Sequence, residues 1–167
     1  LQQLLAQCPA ASENIYVNGV KLYKDKVNRA ETLAEKKMYV DSILYLYDVR
    51  IENFGTHPKR GRVYLLERKA REYLTYKADD REGVAEAFEA AIAAGFDLIH
   101  VDPTVDINVP KGEVIDIHLV VRRTVELIEH CEKYRRANNY PEISYEVGTE
   151  EVHGGLADDT TFDTFLV

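Results

Sequence analysis

Cysteine is scarce in this chain, positive charge is in deficit and long apolar runs are missing; each shortage removes a class of function. The two cysteines, Cys8 and Cys131, lie far apart and match no metal-ligand or redox spacing. They read as free thiols in a reducing compartment. No apolar run approaches the ~20 residues that cross a bilayer. The opening Leu1–Cys8 lacks the cationic start and the length of a signal peptide, so a cytoplasmic location with no membrane contact is expected. Acidic residues outnumber basic ones by 29 to 21, a net charge of −8. That balance argues against a general nucleic-acid binder or a protein held on anionic membranes, since both need excess positive charge. The local exception, Lys59-Arg60-Gly61-Arg62, reads as solvated surface.

What is present is the composition of a globular domain: 46% hydrophobic and 30% charged residues, too apolar for a disordered chain. At 167 residues one domain is expected, with an N-terminal region over 1–52 and a βα portion over 53–167. Leu1–Gln7 reads as the end of a helix, broken by Pro9. Asn14–Tyr23 places two β-prone runs around Asn18-Gly19, the pair that suits a type I′ turn, and predicts a β-hairpin. Leu33, Lys37, Val40, Leu44 and Tyr47 recur at helical spacing, although Ile43–Val49 suits a strand equally well. Asn53–Pro58 is a loop and Arg62–Tyr76 a helix. Asp79-Asp80-Arg81-Glu82 resembles a capping box opening a helix to Ala94, with Gly95 as its left-handed stop.

Phe96–Val101 then reads as a strand and Val114–Ala137 as a long helix, with Ile117, Val121, Val125, Ile128 and Cys131 inward. Asn138-Asn139 ends that helix and Ile143–Val147 is the next strand. Strand, long helix, strand is a parallel βαβ unit. The expected class is α/β, either a TIM (β/α)8 barrel or part of one. A complete barrel needs ~250 residues, and the chain starts at Leu1 and stops at Val167 in what reads as the start of an element. The chain therefore reads as a fragment, a trimmed chain or one with segments missing, and both forms of the barrel stay open.

The chemistry-bearing residues gather where the two strands end. Alternation puts Leu98, His100 and Asp102 on one face and Ile99 and Val101 on the helix-facing side. Ser144, Glu146 and Gly148 share a face of the next strand, and the loop beyond adds Glu150, Glu151, His153 and the flexible Gly154-Gly155. Carboxylates and imidazoles at adjacent strand ends can hold a divalent metal or form an acid–base pair. Taken singly, each has a plainer reading: His100 as a hydrogen-bonded core group, Asp102 as a turn-former before Pro103, and Glu146 and Glu150-Glu151 as solvated surface.

AGFDLIHVDPTVD (Ala94–Asp106) followed by ISYEVGTEEVHGGLADD (Ile143–Asp159) resembles the D-tagatose-1,6-bisphosphate aldolase class II non-catalytic subunits. More distantly the chain is similar to the class II ketose-bisphosphate aldolases. The resemblance covers about Asp79–Asp159. It implies a barrel of carbohydrate metabolism with carbon–carbon lyase chemistry, a phosphorylated sugar as ligand and a divalent metal, Zn or Mn, with no nucleotide cofactor. It further implies His57, His100 and Glu150 as metal ligands, Asp102 and Glu150 as catalytic groups, and Thr104, Gly154 and Gly155 as substrate contacts. An oligomer is expected, and a catalytic aldolase subunit as partner if the chain is accessory. A metal-dependent sugar epimerase or isomerase is the other alternative. The family's G-G-D-H loop has its nearest counterpart in Phe54-Gly55-Thr56-His57, where Thr56 replaces the aspartate that handles a substrate proton.

Overall fold

The computed structural model describes residues 2–110 and 113–148. Six helices and two strands follow in order: α1 Gln2–Gln7, α2 Glu13–Arg29, α3 Leu33–Phe54, α4 Arg62–Tyr76, α5 Arg81–Ala93, β1 Leu98–Val101, α6 Ile117–Ala137 and β2 Ser144–Val147. Helix makes up 65% of the described residues and the strands are only two, short and parallel, so the expected TIM barrel is corrected to a mainly helical fold containing one βαβ unit. Its Glu150, Gly154 and Gly155 lie outside the described residues.

The N-terminal expectation fails for a physical reason. Asn18-Gly19 does not turn, because Tyr16, Gly19, Tyr23 and Val27 recur at helical spacing and all face inward from α2. Burying one stripe over 17 residues outweighs a two-residue turn preference. Ser12 caps the helix by accepting from Asn14 N, and Tyr16 Oη donates to the Pro9 carbonyl at 2.8 Å. In α3 the Ile43–Val49 ambiguity resolves as helix: Val40, Ile43, Leu44, Tyr47 and Arg50 are all buried. Thr32 and Glu35 close a reciprocal capping box at its start.

Two apolar clusters share α4. Val27 of α2, Val40, Ile43, Leu44 and Tyr47 of α3 and Leu65 of α4 form the first. Ala70 and Leu74 of α4, Val84, Phe88 and Ile92 of α5, Ile99 and Val101 of β1, and Leu127 and Cys131 of α6 form the second. Tyr73 packs against both. The first cluster also encloses a polar contact, where Glu72 Oε1 takes Lys24 Nζ at 2.6 Å and the Tyr47 hydroxyl at 3.3 Å.

Asp80, not Asp79, caps α5, accepting from Gly83 N at 3.0 Å. Gly95 follows α5 at φ +95°, a left-handed conformation that costs glycine little and turns the chain back into β1. On α6 the buried stripe is Val120, Thr124, Leu127 and Cys131, one position away from the expected Val121 and Val125; Val125 is half exposed. No described helix is long and apolar enough to cross a membrane.

Candidate site at the ends of the parallel strands

β1 and β2 pair in parallel with Leu98 opposite Ser144, Ile99 opposite Tyr145, His100 opposite Glu146 and Val101 opposite Val147. Asp97 O accepts from Ser144 N at 2.8 Å and Val101 O from Gly148 N at 3.0 Å, tying both ends of the ladder. Ile99 and Val101 are wholly buried against the helices while Leu98 is half exposed. Alternation therefore delivers His100 to the opposite face.

The register brings His100 and Glu146 together: Nδ1 lies 3.1 Å from Glu146 Oε2, with the imidazole largely buried and the carboxylate largely exposed. A carboxylate on Nδ1 favours the tautomer with its proton there and leaves Nε2 as the acceptor nitrogen. Gly148 marks the convergence. A Cβ built on it would stand 3.1 Å from His100 Cε1 and 3.2 Å from both Cβ and Oδ2 of Asp102. Only a residue without a side chain fits there undistorted, so His100, Asp102 and Gly148 share one small volume.

Asp102 is half-buried, and its Oδ1 accepts from Thr104 N at 3.2 Å and Thr104 Oγ1 at 2.5 Å across the buried Pro103. It thus forms a turn and still presents Oδ2 beside Gly148. The loop that follows is anchored to α6 by Arg123, whose Nη2 donates to Asp106 Oδ2 at 2.8 Å. Burial alone would raise the Asp106 carboxyl, but hydrogen bonds from Arg123 and Asn108 outweigh it and hold the carboxyl below its ordinary value.

From Thr104 a cavity of about 1070 Å³ extends between this loop and the turn joining α2 to α3. Asn28, Arg29 and Lys36 line it from the turn, Tyr76 from α4, and Asn108 from the loop. Glu31 and Glu113 are also on its wall, so its charge is mixed. Burial, with the charge of Glu72 added, pushes the Tyr76 hydroxyl up to about 12, so it stays a neutral hydrogen-bonding group there.

His57 is placed differently. It sits exposed in the α3–α4 loop, its Nδ1 accepting from Lys59 N at 3.2 Å and Arg60 N at 3.0 Å. Among the described residues no three His, Cys, Asp or Glu side chains gather as a potential metal group. Of the three expected ligands, His57 lies in the α3–α4 loop and His100 on β1, and Glu150 lies outside the described residues. An imidazole and carboxylates placed as at the strand ends can move protons.

The sequence reading assigned His100 no partner. Glu146 shared the right face in the sequence, and only the register, which no local pattern specifies, made it the partner of His100. In comparisons with known proteins, no family model, no curated protein and no solved structure matches the chain.

Proposed function

We propose that the ends of β1 and β2 perform proton transfer on a phosphorylated hydroxy-carbonyl sugar, in chemistry of the aldolase type. The observation that supports this reading best is the His100–Glu146 contact of 3.1 Å beside Asp102 and Gly148. Glu146 orients the imidazole, and Nε2 accepts the proton of a substrate hydroxyl. The O–H electron pair becomes the new carbonyl, the adjacent C–C bond breaks, and its electrons pass into the neighbouring carbonyl as an enediolate. That species takes up a proton to complete the cleavage, so protons balance over the cycle. The cavity beyond Thr104, with hydrogen-bonding groups and the cations Arg29 and Lys36 on its wall, is roomy enough for the remainder of such a sugar.

A second reading is favoured by one specific residue. Thr56 occupies the position where the resembled family carries its proton-handling aspartate, and it is exposed on a loop. On that basis the chain is an accessory subunit supporting a separate catalytic aldolase. The assay is triose-phosphate release from a ketose bisphosphate by the full chain, alone and with a catalytic class II aldolase, with divalent metal supplied. Release by the chain alone supports the enzyme reading. Release only in the mixture, above that of the partner by itself, supports the accessory one. No effect in either arm overturns both.

A further inference from the structure

The loop leaving β1 uses one device twice. In Asp102-Pro103-Thr104 the Asp102 Oδ1 accepts from Thr104 N at 3.2 Å, and in Asp106-Ile107-Asn108 the Asp106 Oδ1 accepts from Asn108 N at 2.9 Å. Each aspartate closes a local turn with one oxygen and keeps the other for a contact outside it. Asp102 Oδ2 borders Gly148 in the candidate site. Asp106 Oδ2 accepts from Arg123 Nη2 of α6 at 2.8 Å. The middle residue of each turn is an apolar foot: Pro103 is wholly buried, and Ile107 packs against the cluster built from α2, α3 and α4. The loop is thus held from two sides, by an apolar contact on the N-terminal helices and by an ion pair on α6.

We infer that Arg123 and Asp106 are positioning residues for the strand-end site: through the loop they set where Asp102 presents its carboxylate and how the cavity beyond Thr104 is walled. The inference rests on the proton-transfer reading for its purpose, while the mechanical link itself is independent of any activity. Stability alone does not account for the pair. The two side chains are 11% and 9% exposed, and Arg123 Nη1 is buried without a partner among the described residues. An ion pair taken out of water recovers little more than its desolvation, and apolar residues of similar volume often hold a fold as well. What the pair adds is direction. A planar guanidinium meets a carboxylate in a narrow range of geometries, which an apolar contact such as that of Ile107 does not impose. Asp106 itself lines the cavity with Thr104 and Asn108. Between Asp106 and Asp102 the span is short and Pro103 fixes a backbone angle, so a displacement at Asp106 is carried to the site.

The test compares Arg123→Met and Asp106→Asn with the unmodified full chain by backbone amide NMR and hydrogen exchange. Met keeps an apolar stem in place of the arginine's, and Asn keeps the Oδ1 that closes the turn, so each removes the ion pair and little else. Both are expected to shift the amides of Asp102, Thr104 and Gly148. Both also speed exchange at Thr104 and Asn108 by about tenfold or more, the effect of losing one charge-assisted hydrogen bond. The double variant adds nothing further, because either single change already breaks the pair. Arg123→Lys, which keeps the charge, recovers part of the change. Arg50→Met removes a different largely buried ion pair, to Glu13 at 3.1 Å, and leaves the three amides where they were.

Unmoved Asp102 and Gly148 amides in folded Arg123→Met and Asp106→Asn overturn the inference, whatever happens to the urea midpoint. Equal movement in Arg50→Met also overturns it, since loss of stability alone would then suffice. If Arg123→Met fails to fold, Asp106→Asn decides on the same amides. In whichever form of the protein releases triose phosphate, the two variants lower release by about 10²-fold, the cost of a misplacement near 1 Å; unchanged release there overturns the positioning role. Shifted amides with no release by any form of the unmodified chain remove the proposed reaction and leave the positioning of the loop standing, so the two failures are distinguishable.

Discussion

Phe88→Ala destabilises the fold by about 3–5 kcal/mol, the range for removing a buried aromatic ring from a packed core. Phe88 is 1% exposed and sits in the cluster where α4, α5, α6 and β1 meet. The loss falls on the elements that hold the candidate site, and it is comparable with the total stability of a small domain, about 5–15 kcal/mol. Urea denaturation followed by circular dichroism measures it as a lowered midpoint with an unchanged slope. Val125→Ala is the contrast. The spacing expected Val125 inside, but the structure leaves it half exposed, so its change stays within about 0.5 kcal/mol. Equal effects at the two positions would contradict the packing described.

His100→Gln lowers triose-phosphate release by about 10²–10⁴-fold in whichever form of the protein turns over, the usual yield of a positioned general base. Gln retains a donor for Glu146 but cannot accept a proton. The side chain lies on the sheet face away from Ile99 and Val101, so the urea midpoint stays near that of the unmodified chain. Turnover unchanged within tenfold removes His100 as the base, and release seen only with the partner aldolase then belongs to the accessory reading.

The sequence read best where one strong local rule acted without competition. Arg62–Tyr76 was read as a helix and agrees with α4 to the residue. Gly95 was identified by the one conformation that glycine adopts cheaply, and it has the positive φ expected. The parallel pairing of β1 and β2 followed from the length of the connecting helix. Where two rules competed, the local one lost. Asn18-Gly19 signalled a hairpin, yet the inward stripe of Tyr16, Tyr23 and Val27 made a helix. The barrel was inferred from a single βαβ unit and a family resemblance, and nothing in α1 to α5 supplies the further strands it required.

The site was legible in part for the same reason. Strand alternation placed His100 and Asp102 on one face, since period two is geometric. Asp102 was open to two readings, turn-former or site group, and its geometry has both: Oδ1 builds the turn with Thr104 while Oδ2 borders Gly148. Glu146 as the partner of His100 required the register, which is not encoded in a short window. His57 was implied as a ligand by its position in a motif, and in the structure its Nδ1 accepts from the backbone of its own loop.

The central claim is that the ends of β1 and β2 form one ligand site, and backbone amide NMR of the full chain titrated with a triose phosphate tests it most directly. The account predicts saturable shifts at Val101, Asp102, Thr104, Val147 and Gly148, all weakened by His100→Gln. Absence of saturable shifts at those five amides, or shifts confined to the separate groove between α4, α5 and α6 lined by Leu74, Arg81, Arg123 and His130, would contradict it.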